Sequence, residues 1–193
     1  TPDDLAVPLV LVDLALTLLV LEVHGRARAW PAARHLGILL LPALVLAALA
    51  TFARSYHLLA GLMVLALPLA LAVHYWLLAR QEADQAALGP ILRHIGGFWL
   101  IIALVSVEAG WLGDRLAPGV RLWPVLALAL GPVVGIGGAS LGFRRGLPPF
   151  VRHSFAYLGL GSLVPALYLV LWVFATNFSV AGDGSGLPYV PVL

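Results

Sequence analysis

Six continuous apolar runs, roughly 5–22, 36–54, 57–79, 95–112, 122–143 and 154–178, alternate with short segments that carry the arginines. Each run is long enough to cross a hydrocarbon layer of about 30 Å at about 1.5 Å per residue. Apolar residues follow one another without the in-out alternation of a membrane barrel strand. In lipid a helix satisfies every backbone N–H and C=O within its own segment. The pattern therefore predicts an all-α, polytopic transmembrane bundle of six spans within residues 1–178. Residues 179–193 are expected to form an extramembrane link.

Composition strengthens this reading. The 193 residues are 62 % hydrophobic and only 10 % charged, against about 25 % charged in soluble domains. The formal charge of +2 is small, and the basic residues sit between apolar runs, which argues against a nucleic-acid partner. With no cysteine, disulfides and thiolate metal sites are excluded. Membrane lipids are the expected surroundings.

Arginine position predicts orientation. The loops joining spans one–two, three–four and five–six hold Arg26, Arg28, Arg34, Arg80, Arg93, Arg144, Arg145 and Arg152, while the other side holds Arg54, Arg115 and Arg121. By the positive-inside rule the arginine-rich loops are cytoplasmic, and both ends of the segment lie outside a bacterial inner membrane. The short stretch Arg54–His57 predicts that spans two and three are antiparallel neighbours.

A tag, Pro-x-x-Arg-His, recurs at Pro31, Pro90 and Pro149 with a constant interval of 59 residues. A fixed period signals repeated units, and about sixty residues accommodate a helical hairpin. The predicted repeats are about 5–54, 57–112 and 122–178, in parallel orientation. Each tag falls where an even-numbered helix begins, where proline suits the first turn. Arg34, His35, Arg93, His94, Arg152 and His153 are then expected at headgroup level, anchoring the helices to lipid phosphate.

Gly131-Pro-Val-Val-Gly135 and Gly138-Ala-Ser-Leu-Gly142 are small-xxx-small patterns that allow close helix packing. Pro8, Pro42, Pro68, Pro132 and Pro165 lie inside spans and predict kinks.

Ionisable residues inside spans are the candidate functional groups, because each is expensive at the bilayer centre. Asp13, midway along the first span, reads as a relay for protons or cations, or as a polar lock to another helix. Glu108, near the outer end of the fourth span, shares its depth with Arg54, Tyr56 and His57. That set is the preferred locus for a cationic or polyhydroxyl ligand, or for a buried ion pair. His74-Tyr75-Trp76 suits the interfacial aromatic belt. Haem ligation by His35, His74, His94 and His153 is the sharper alternative, though no cofactor or metal is expected. No His-Glu-x-x-His and no Gly-x-Ser-x-Gly motif occurs.

The third span, Leu67-Pro-Leu-Ala-Leu-Ala-Val-His-Tyr-Trp-Leu-Leu-Ala-Arg-Gln-Glu82, and the end, Gly186-Leu-Pro-Tyr-Val-Pro-Val-Leu193, are familiar. They resemble a family of large polytopic bacterial predicted membrane proteins, domain of unknown function 2339. The resemblance implies that this chain is an internal piece of a longer protein, packed among further helices of its parent. It implies no catalytic residues. The expected function is a non-enzymatic transporter-like or scaffold module of the cell envelope. A membrane enzyme acting on a lipid-linked substrate and a b-type haem electron carrier are the alternatives.

Overall fold

The computed structural model describes residues 2–82, 88–118 and 122–179, and every regular element among them is helical. The link 180–193, Arg121 and the side chain of Arg34 lie outside the described residues. In chain order the helices are α1 (Pro2–Ala27), α2 (Pro31–His35), α3 (Leu40–Ser55), α4 (Met63–Gln81), α5 (Leu88–Leu116), α6 (Leu122–Leu128), α7 (Leu130–Arg144), α8 (Pro148–Arg152) and α9 (Leu160–Ser179). A 3₁₀ turn, Leu36–Leu39, precedes α3, and a π turn, Phe155–Gly159, precedes α9.

Six helical stretches are long and apolar enough to cross a membrane: Leu5–Ala27, Pro31–Ser55, Met63–Gln81, Leu88–Leu116, Trp123–Arg144 and Phe155–Phe178. The six-span pattern holds, with shifted ends. Helix α1 runs five residues past the expected limit, and α5 starts seven residues early. Helix α4 begins six residues late. After α3, Tyr56 adopts a left-handed conformation (φ 53°), and Gly61 does so at φ 54°, so residues 56–62 form a connector. Helices α3 and α4 do pack together as neighbours.

The chain divides into two compact units, Thr1–Gly97 and Phe98–Leu193. This division does not reproduce the three expected hairpin repeats. The tags also differ in local form: the first and third open the short helices α2 and α8, whereas the second lies within the continuous helix α5.

In the first unit, α1 packs on α3 and α4. The reason is a stripe on α1 at Leu11, Ala15, Leu18, Glu22 and Gly25, all buried and spaced by three or four residues. Facing it, α4 buries Met63, Leu67, Ala70, His74, Leu77 and Gln81 at the same helical spacing. The outer faces stay apolar, as at Val10, Leu46 and Leu65, which are 66 %, 66 % and 69 % exposed. Such contiguous exposed apolar surface suits lipid and not water.

In the second unit, Phe98, Ile102, Ala139 and Tyr157 form the buried cluster, with Phe150 and Leu158 packed on it. Helix α7 approaches α5 so closely that a Cβ on Gly131 would lie 2.2 Å from the Ile102 carbonyl oxygen. A Cβ on Gly135 would meet the Ile102 side chain at 2.6 Å. The first small-xxx-small pattern is thus a packing face. In the second, Gly142 abuts Phe150, but Gly138 faces open space.

Proline explains two indole contacts in this unit. Pro165 lacks the N–H that would bond the Gly161 carbonyl four residues earlier. The Trp99 Nε1–H donates to that carbonyl at 2.9 Å instead. Similarly, the helix breaks at Ala129 ahead of Pro132, where the Ala129 N–H turns to the Leu126 carbonyl. This frees the Val125 carbonyl, which accepts from Trp172 Nε1–H at 3.1 Å. Replacing Trp99 with phenylalanine keeps most of the packing but orphans the Gly161 carbonyl. A loss of about 1 kcal/mol is expected in denaturant unfolding of the purified protein in bicelles.

Candidate functional site

The arginine-rich end of the first unit holds a buried polar network that links α1, α4 and α5. Glu22 occupies the buried stripe of α1, Gln81 ends the buried face of α4, and Arg93 lies one turn into α5 with Pro90 and Gly97 on its own face. They are 1 %, 2 % and 3 % exposed. The Gln81 amide Nε2–H donates to Glu22 Oε2 at 2.8 Å, and its Oε1 accepts from Arg93 Nη1 at 2.8 Å. Arg93 Nη2 also donates to the Gly37 carbonyl at 3.4 Å. On α1 itself, Arg26 Nε donates to Glu22 Oε1 at 2.5 Å, while its Nη2 donates to the Arg80 carbonyl at the end of α4.

Glycine at position 37 is a condition for this geometry. A Cβ there would lie 2.6 Å from Gln81 Nε2 and 2.9 Å from its Oε1. The amide of Gln81 is the central piece, presenting a donor to the carboxylate and an acceptor to the guanidinium. Acting in a low-dielectric setting, such a relay ties helices together strongly as long as each member keeps its partner.

Beside the network, His94 Nε2–H donates to Glu82 Oε1 at 2.9 Å. Two helical turns before the end of α4, His74 is fully buried with neither ring nitrogen hydrogen-bonded. It packs edge-on against Tyr75 at 5.3 Å between ring centroids. The Gly97 α-carbon approaches so closely that a Cβ would sit 2.8 Å from Tyr75 Oη and 3.3 Å from His74 Nε2. Trp76, by contrast, faces outward under the Arg80 guanidinium at 5.0 Å, as an interfacial aromatic would.

The tag residues therefore divide. His35 is exposed, its Nδ1–H donating to the Pro31 carbonyl at 2.7 Å, and Arg152 is exposed as well. His153 is half-buried. Arg93 and His94 depart from the headgroup expectation: both are turned into the protein. The physical reason is the acceptor set. Gln81, the Gly37 carbonyl and Glu82 offer charge-assisted hydrogen bonds within reach, which compete with lipid phosphate. The use of His94 Nε2 by Glu82 also takes that nitrogen away from the set of four histidines considered for haem.

The remaining expected residues do not join this network. Asp13 sits mid-span on α1 but on its exposed face. Arg54 lines a cavity of about 260 Å³ with Thr51, Ser55, Val7 and Pro8. Tyr56 is exposed and His57 half-buried. Glu108 belongs to the other unit, where it is half-buried one turn before Trp111, over whose ring Arg115 stacks at 4.8 Å.

The sequence reading missed Glu22 and Gln81. A signal existed, since the two bonded residues are 59 positions apart, the interval of the tag.

A family model described as a predicted membrane protein, DUF2339, matches residues 3–193. The chain belongs to the DUF2339 family. No curated protein and no solved structure matches it significantly. The buried relay is thus a property of this DUF2339 chain read from its own geometry, in an integral membrane protein with six apolar helices.

Proposed function

We propose that this chain is a non-enzymatic scaffold module of the bacterial inner membrane, its arginine-rich loops cytoplasmic. One observation carries the reading. The carboxylate of Glu22 and the guanidinium of Arg93, both buried in the first unit, are joined across neighbouring helices through the Gln81 amide. Buried polar groups of this kind hold helices in one register, and breaking one bond of the set is costly. The eight arginines on one side support the orientation.

The scaffold reading distinguishes a lock from working chemistry. If the network only locks helices, replacing it as a whole by apolar side chains, Glu22→Leu with Gln81→Leu and Arg93→Met, preserves function, because paired buried charges contribute little beyond an apolar isostere. The expected result is a triple variant that inserts, unfolds near the wild-type midpoint and complements a deletion strain. Normal insertion and stability without complementation would sink the scaffold reading.

A second reading, a proton-coupled transporter, is favoured by His74, buried with both ring nitrogens unbonded. Buried histidine is a common proton relay in transporters. That reading requires His74→Phe to abolish complementation while folding is retained. The scaffold reading predicts complementation unchanged.

A further inference from the structure

Helix α1 has a second stripe, on the side away from its unit, that the lock does not use. Ala6, Val10, Asp13, Thr17, Val20 and His24 are all exposed and are spaced 4, 3, 4, 3 and 4 residues apart. This is the alternating spacing of a coiled-coil seam, with small and β-branched residues at most positions and one acidic residue. The buried stripe at Leu11, Ala15, Leu18, Glu22 and Gly25 lies on the opposite face.

Asp13 makes that outer seam unsuited to bare lipid. It lies eight residues inside the span Leu5–Ala27, about 12 Å along the helix axis. Among the described residues it has no hydrogen-bond or ionic partner, and its side chain is exposed at mid-span. A carboxylate so placed is strongly disfavoured unless another protein surface covers it.

We infer that the seam is covered by α1 of a second copy of this chain. Copies inserted in one membrane share an orientation, so a two-fold axis along the membrane normal brings equal positions to equal depth. Each Asp13 then meets the opposite Asp13 and, one turn away, the opposite Thr17, whose hydroxyl donates to the carboxyl. The pattern is self-complementary: acceptor and donor stand four residues apart on one face. A single polar position within an apolar seam also fixes register. Beside the seam, an open apolar groove of about 380 Å³ runs between α1 and α3, with Val10 and Leu14 on one side and Ala43, Leu46, Ala47 and Ala50 on the other. Its alanines leave room for side chains of the second copy to approach closely. The pairing is independent of the scaffold reading, because it uses the other face of α1.

Single-cysteine crosslinking tests it directly, since the sequence holds no cysteine of its own. In native membranes containing the full chain, Val10→Cys, Thr17→Cys and Val20→Cys are expected to give disulfide-linked homodimers under copper-phenanthroline. Leu19→Cys, on the far side of α1, and Leu65→Cys, on the exposed face of α4, are expected to stay monomeric. Adding Asp13→Leu to Val20→Cys, which leaves Thr17 in place, should lower the dimer yield about three- to thirty-fold, whereas Asp13→Asn should retain it. Equal crosslinking at Leu65→Cys, or a yield unmoved by Asp13→Leu, would overturn the pairing. So would seam positions that give no homodimer, an outcome that assigns the face to lipid or to a different helix.

Discussion

Glu22→Ala is expected to destabilise the protein by about 3–5 kcal/mol, the cost of removing one partner from a buried charged set. The carboxylate accepts from Gln81 and Arg26. Its loss leaves the Gln81 amide with a buried unmet donor and takes away the anion nearest the Gln81–Arg93 pair. Glu22→Gln keeps an acceptor oxygen for the Gln81 amide, so it should cost markedly less, on the order of 1–2 kcal/mol. Unfolding of the purified protein in bicelles, monitored by helical circular dichroism, measures both. A change below about 0.5 kcal/mol for Glu22→Ala, the range of ordinary surface substitutions, would show that the network does not hold the helices.

The second large effect belongs to the other unit. Gly131→Leu places a branched side chain where even a Cβ would lie 2.2 Å from the Ile102 carbonyl and 2.8 Å from the Ser106 amide nitrogen. Both are backbone atoms, so no rotamer change relieves the contact, and α7 has to move off α5. The expected loss is about 3 kcal/mol or more. Gly138→Leu, at a glycine with open space around it, is expected to change stability by less than about 0.5 kcal/mol. The two substitutions share chemistry, helix and flanking sequence character, so a similar loss from both would contradict the α5–α7 approach. Thermal unfolding of the two variants side by side gives the comparison.

How much was legible in the sequence follows from the physics of each feature. The spans were readable because twenty or so apolar residues in succession have one economical conformation in lipid. Their ends were less so: the first apolar run reads as ending at Glu22, yet α1 continues through it to Ala27. The packing role of Gly131 and Gly135 was readable, since small residues at that spacing serve close approach and little else. Which of Gly138 and Gly142 packs was not, because that depends on where Phe150 lies.

The inner network was hidden for a different reason. An arginine near a helix end can reach outward to phosphate or inward to protein, and local sequence does not decide between them. The choice at Arg93 depends on Gln81 and the Gly37 carbonyl, which lie on segments 12 and 56 residues away. Gln81 itself, uncharged and at the end of a span, gave no reason for notice apart from its distance of 59 from Glu22. Asp13 lies midway along the first apolar helix, but its direction, away from its own unit, is a property of how α1 packs on α3 and α4.

The lock can be measured most directly with a double-mutant cycle on Glu22 and Gln81. Stabilities of Glu22→Ala, Gln81→Ala and the double variant are compared with wild type in the same bicelles. Coupled side chains in one hydrogen-bond network give a non-additive term of about 0.5–3 kcal/mol. The 2.8 Å bond between Gln81 Nε2 and Glu22 Oε2 places the expected coupling at about 1 kcal/mol or above. Losses that add to within about 0.3 kcal/mol would mean that Glu22 and Gln81 act independently, and that α1 and α4 are held together by apolar packing alone.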